Sequence, residues 1–141
     1  NSATIEYKGQ IIEFYTCHMN LPTNKEEKMS DNIQRILKRS QTDNLKILMG
    51  DFNTDAINSP KNYENILAQG LYDTYTLAVE KDNGVTVGGN IDGWDTNKQE
   101  KRIDYIFSNK KIKVLSSKVI FNGINFPVVS DHYGVETVIE I

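Results

Sequence analysis

The chain has one cysteine, Cys17, in 141 residues, so neither an internal disulfide nor a multi-cysteine zinc site can form. The reducing cytoplasm is therefore the expected compartment. No basic start followed by an apolar stretch opens the chain, so no signal peptide is read. Apolar runs such as Ile47-Leu48-Met49 are far too short for the roughly 20 residues that a membrane helix needs. Arginine is scarce, with three among the sixteen basic residues, and the net charge is −3. A nucleic-acid binder usually carries a basic face. Its lack weakens a nuclease reading without excluding one, because an active site can recruit metal to meet phosphates. Hydrophobic residues at 38% and charged residues at 25% exclude a disordered tail, a collagen repeat and a coiled coil. The length suits one unit with a real core.

Strand and helix periods alternate along this unit. Ile5 and Tyr7, then Ile12, Phe14 and Thr16, alternate with polar neighbours at period two around a Lys8-Gly9 turn. His18 falls just past the second strand and reads as a loop residue. Thr23-x-x-Glu26 fits a capping box, and Met29, Ile33, Ile36 and Leu37 form the apolar stripe of a helix over Glu26 to Arg39. Leu45 to Met49 predicts a strand buried on both faces. Ser59-Pro60 opens a second helix, Lys61 to Gln69, which Gly70 ends. Leu71 to Val79 has no clear period. Asp82-Asn83-Gly84 is a turn, and strands are predicted at Arg102 to Phe107, Val114 to Phe121 and Val135 to Ile141.

The chemistry-bearing residues cluster at strand ends. Thr16-Cys17-His18, Gly50-Asp51-Phe52-Asn53, Arg102-Ile103-Asp104-Tyr105 and Ser130-Asp131-His132-Tyr133 each bring a carboxylate, amide or imidazole to a sheet edge, where rigid scaffolds present such groups. In Asp51-x-Asn53 the side chains share a face if the strand continues, so carboxylate and amide can orient a water and an oxyanion, or share a metal. A histidine acts best as acid or base when a carboxylate holds its second nitrogen, and Asp104 is the candidate holder for His132. This set suits phosphoester hydrolysis with a hard cation such as magnesium rather than a structural zinc site.

Three of these motifs, in their order, resemble the signatures of the endonuclease/exonuclease/phosphatase superfamily, the deoxyribonuclease-like fold. The resemblance implies an α/β class: the C-terminal half of a four-layer α/β sandwich, here one mostly antiparallel sheet with flanking helices. It implies a Mg2+ (or Mn2+) phosphoesterase with a further ligand upstream of these residues. Asp51 would position or deprotonate the attacking water, and Asn53 would orient it or a phosphoryl oxygen. His132, held by Asp104, would stabilise or protonate the phosphoryl group. Asp131 and Asp51 would hold the metal, and His18 would contact a phosphate oxygen. The loop Asn90 to Asp95 is similar to bacterial sugar-phosphate phosphatases such as maltose 6′-phosphate phosphatase, so Trp94 and Arg102 are candidates to bind substrate. Gly134 stands where proline is common, and Met19-Asn20 is less typical after the histidine.

The resulting expectation is a cytoplasmic phosphatase of a small sugar phosphate, with no membrane partner. A nuclease of the same fold and a half-domain incomplete for catalysis are the alternatives. The two helices can cover one sheet face only. The other face, fed by residues around Ile12, Leu48, Ile106, Val119 and Val138, is then expected to need the N-terminal half or another molecule over it. With Asp51, Asn53 and Asp131 as donors, the chain by itself should bind magnesium weakly, since that cation surrenders its waters reluctantly. Calorimetry checks this, and tight stoichiometric binding would show the metal site to be misplaced.

Overall fold

The computed structural model describes residues 1–19, 26–88, 91, 93, 96 and 98–141, with the backbone alone for 26–28. Strands β1 (Ser2–Tyr7) and β2 (Gln10–His18) form an antiparallel hairpin. Lys8 and Gly9 turn it with positive φ at both positions (51° and 75°), the pairing that matches the natural twist of two strands. Helix α1 (Glu26–Arg39) crosses over to β3 (Leu45–Asp51), which pairs parallel to β2. Helix α2 (Pro60–Leu67) starts after Ser59 as anticipated. The stretch without a clear period holds a two-residue strand, β4 (Tyr72–Asp73), and a single helical turn, α3 (Thr74–Leu77). Both are too short to show a period. Then come β5 (Glu80–Lys81), β6 (Asp104–Ser108), β7 (Lys113–Ile120) and β8 (Gly134–Glu140).

These α/β elements form a partial sandwich, with one correction. Among the described residues the strands divide into two sheets rather than one: a mixed five-stranded sheet in the order β1-β2-β3-β6-β4, and a three-stranded sheet β5-β7-β8. Element ends shift by one to two residues in several places, and two of these shifts bear on the site. His18 is the last residue of β2, not a loop residue, because it continues the ladder opposite Asp51. Arg102 and Ile103 precede β6.

Alternation sorts the large sheet into two faces. Tyr15, Leu48, Tyr105 and Phe107 point to the helices and join Ile33, Tyr63 and Ile66 in the core, with Met29, Ile36 and Leu37 packed against it. Phe52 meets Tyr105 and Phe107 edge-on, with ring centroids 5.9 and 4.9 Å apart, the geometry that aromatic quadrupoles favour. The expectation of one uncovered face is met only in part. Leu48 belongs to the helix side, and Ile12 and Val119 are buried. Thr74 of α3 links the two sheets: its hydroxyl donates to the Ile106 carbonyl of β6 at 2.7 Å and lies 3.3 Å from the Thr137 hydroxyl of β8. Apolar exposure remains at Ile5, Tyr7, Leu115 and Val138, and along Ile124, Phe126, Val128 and Val129.

Two polar details lock the large sheet. Glu13 is buried and accepts hydrogen bonds from Tyr15, Ser40, Thr42 and Asn44. It thereby ties the loop after α1 to β2. Burial alone would favour the neutral acid. The donors of Ser40, Thr42, Tyr15 and Asn44 overcome it and pull the carboxyl down to about 2. At Gly50, φ is +131°, and a Cβ would lie 2.0 Å from the Cys17 carbonyl oxygen, so only glycine lets β3 lie this close to β2.

Both details have measurable consequences. A depressed folded-state pKa gives stability that is present above the unfolded value and lost as pH falls. The melting temperature should therefore drop between pH 4.5 and about 2, and Glu13→Gln should flatten that part of the profile; an unchanged slope would remove Glu13 from the account. Gly50→Ala should destabilise the fold by roughly 3 kcal/mol in denaturant titration, since the added carbon meets backbone rather than a flexible side chain.

Candidate active site

Pairing along β3 brings the motifs together. Asp51, the last residue of β3, lies opposite His18 of β2 on one side and Asp104 of β6 on the other. By alternation all three side chains share the face away from the helices. The His18 Nε2 atom is 3.4 Å from Asp51 Oδ2; the His18 side chain is 80% exposed and that of Asp51 only 17%. The loop after β7 returns His132 to the same edge, where its Nδ1 lies 2.9 Å from Asp104 Oδ2. Ligand atoms of Asp51, Asp104 and His132 lie within 4.8 Å of one another. Two hard carboxylates and an imidazole at this spacing fit a divalent cation.

The electrostatics follow from this crowding. Burial pushes the Asp104 carboxyl above the usual range, hydrogen bonds from Thr86 and His132 pull it back, and the charge on Asp51 adds to the rise. When Asp104 is ionised it can only accept, and the proton of its bond with His132 then sits on Nδ1.

Asn53 sits beyond the strand in the left-handed region, φ 49°, which asparagine tolerates better than most residues. Its N–H donates to Asp51 Oδ1 at 2.7 Å, and its Nδ2 donates to the Met19 carbonyl at 2.7 Å. Met19 N–H in turn donates to the Asp51 carbonyl at 2.8 Å. The ends of β2 and β3 are thus tied directly beside the carboxylate. Asp131 is exposed, accepts from the Ser130 hydroxyl at 3.1 Å, and lies outside the group formed by Asp51, Asp104 and His132.

The expectation that Arg102 grips substrate gives way to a different role. Its side chain is 9% exposed and its Nη1 lies 2.6 Å from Asp73 Oδ2. The guanidinium stacks on Tyr75, Tyr105 and Tyr63 at 4.5, 4.8 and 5.3 Å. Burial works against this charge, and Asp73 beside it raises the pKa above its ordinary value. A planar cation is well suited to such an aromatic enclosure, and the enclosure faces the core. Trp94 lies outside the described residues, as do Thr23 of the capping box and most of the loop that motivated the sugar-phosphate comparison.

Several contacts that build the site carry no signal in the sequence. The Tyr105 hydroxyl lies 2.5 Å from the carbonyls of both Thr54 and Arg102 and accepts from Ala56 N–H at 3.0 Å. It therefore joins the segment after Asn53 to the segment before Asp104. Asp73, partner of Arg102, and Thr86, partner of Asp104, belong to no recognisable motif. Only a three-dimensional neighbour list could have found them.

The profile described as the Endonuclease/Exonuclease/phosphatase family matches residues 4–132. No curated protein matches the chain at a significant level. The chain is similar to the solved structure of an endonuclease/exonuclease/phosphatase family protein from Leptotrichia buccalis, with 62% identity and a TM-score of 0.91 over 99% of this chain and 53% of that one. Its fold is also like that of a mannosyl-6-phosphatase from Bacteroides thetaiotaomicron, at 23% identity and TM-score 0.72, covering 95% of this chain and 53% of that one. A third similar structure is D. rerio TDP2 complexed with single-strand DNA product, at 18% identity and TM-score 0.66, covering 99% of this chain and 60% of that one. The chain spans little more than half the length of these proteins. With a profile match over nearly its whole length, the chain belongs to the endonuclease/exonuclease/phosphatase family.

Proposed function

We propose that the protein is a magnesium-dependent phosphoester hydrolase acting on a small sugar phosphate by in-line attack of water. The observation that carries this reading is the convergence of Asp51, Asp104 and His132 within 4.8 Å. Asp51 and Asp104 are the residues that would hold the cation, with a further ligand from outside this chain and Asp131 as an outer candidate. When bound, the cation would supply charge neutralisation for the phosphoryl oxygens.

The chain's own groups supply the rest. Asp51, braced by the Asn53 N–H, would orient the attacking water and take its proton. Asn53 commits one amide hydrogen to Met19; its second hydrogen would meet a phosphoryl oxygen. His132 uses Nδ1 for Asp104, so Nε2 is the nitrogen that would serve the phosphoryl group. His18, exposed at the rim, would contact a phosphate oxygen. The acidic balance of −3 and the structural likeness to a mannosyl-6-phosphatase support a sugar phosphate over a nucleic acid.

The test is a Mg2+ and Mn2+ activity screen of the full-length protein on hexose and disaccharide phosphates beside single- and double-stranded DNA. Phosphate release from sugar phosphates is expected, with kcat lowered about 100-fold or more by Asp51→Asn and by His132→Gln. DNA cleavage without sugar-phosphate turnover would replace this reading with a nuclease.

A further inference from the structure

Thr86 is 1% exposed and lies in a segment with no sequence motif, yet it bonds the backbone at Asp104 and the backbone next to His132. Its hydroxyl oxygen accepts from the backbone N–H groups of Ile103 and Asp104 at 3.2 and 3.3 Å, so one side chain takes both amides at the entry to β6. The Thr86 carbonyl meanwhile accepts from Tyr133 N–H at 2.8 Å, immediately after His132. The segment itself is held in place from behind. Thr86 N–H donates to the Lys101 carbonyl at 2.9 Å, Val87 bridges Lys101, and a Cβ at Gly84 would lie 2.8 Å from the Tyr75 ring and 3.0 Å from the Arg102 side chain.

We infer that Thr86 is a positioning residue: its hydroxyl oxygen holds the backbone at Ile103 and Asp104, and its carbonyl holds the backbone just after His132, so that the carboxylate and the imidazole meet. This rests on the hydrolase reading above. A side chain of the same shape without the oxygen would leave both amides without their acceptor. The entry to β6 would then shift, and Asp104 would lose its 2.9 Å contact with the imidazole. The loss would fall on the chemical step rather than on substrate binding, because Thr86 is buried and cannot reach substrate.

The experiment compares Thr86→Val, which keeps the shape, with Thr86→Ser, which keeps the hydroxyl, in the full-length protein. Thr86→Val should lower kcat about tenfold at unchanged KM, the scale of one lost hydrogen bond, while Thr86→Ser stays near wild type. In an Asp104→Asn background, Thr86→Val should add no further loss, since the two act as one unit. A readout independent of activity is the downfield Nδ1 proton resonance of His132, assigned by its loss in His132→Gln. It should persist in Thr86→Ser and vanish in Thr86→Val. Equal impairment of both variants would reduce Thr86 to packing. A wild-type rate and an intact resonance in Thr86→Val would overturn the inference. If no phosphoester is hydrolysed by the wild type, the hydrolase reading fails, and the resonance alone still decides the role of Thr86.

Discussion

The row His18–Asp51–Asp104 across β2, β3 and β6 is the constraint on which the site depends. Side chains alternate along a strand, so a slip of one residue in either pairing would turn a site residue toward the helices. The register is therefore worth more to function than any one contact. It is held by a backbone approach at Gly50 that admits no side chain and by the link from Asn53 through Met19 to Asp51. Glu13 secures the other end of the same strand pair, where the loop leading into β3 is bonded to β2.

A second layer positions the second carboxylate of this row, Asp104. Arg102 and Asp73 form an ion pair almost wholly out of water, an arrangement whose desolvation cost can rival its Coulombic gain. Three tyrosine rings around the guanidinium and the Tyr63 hydroxyl on Asp73 at 2.8 Å offset that cost. The pair sits two residues before Asp104, and Tyr105 sits one residue after it. The charge that a sequence reader assigns to substrate thus serves to fix the approach to β6. Its energetic role is to make one conformation of that approach far better than others.

The fold leaves apolar side chains in water on the outer faces. Ile5 and Tyr7 on β1, Val138 on β8, and the run from Ile124 to Val129 before His132 are exposed. Scattered apolar exposure is ordinary, but these positions cluster on strand faces and on the loop that returns to the site. The chain covers only about half of the proteins it resembles, such as 53% of the Leptotrichia buccalis structure.

How much was legible beforehand follows from the range of each signal. Local periodicity foretold the β1–β2 turn, the stripe of α1, and the start of α2 at Ser59-Pro60, because these depend on residues within a few positions of one another. The motifs around Asp51, Asp104 and His132 were visible as polar groups ending apolar strands, and the Asp104–His132 partnership followed from the chemistry of an oriented imidazole. Tertiary structure alone decided the rest. It split the strands into two sheets, since pairing partners far apart in sequence leave no local trace. It moved Arg102 from a substrate role into an aromatic enclosure, since the fate of a charge depends on which rings and carboxylate surround it. It also brought Thr86 to Asp104 across 18 residues, because which backbone amides a hydroxyl serves depends on which segments meet in space.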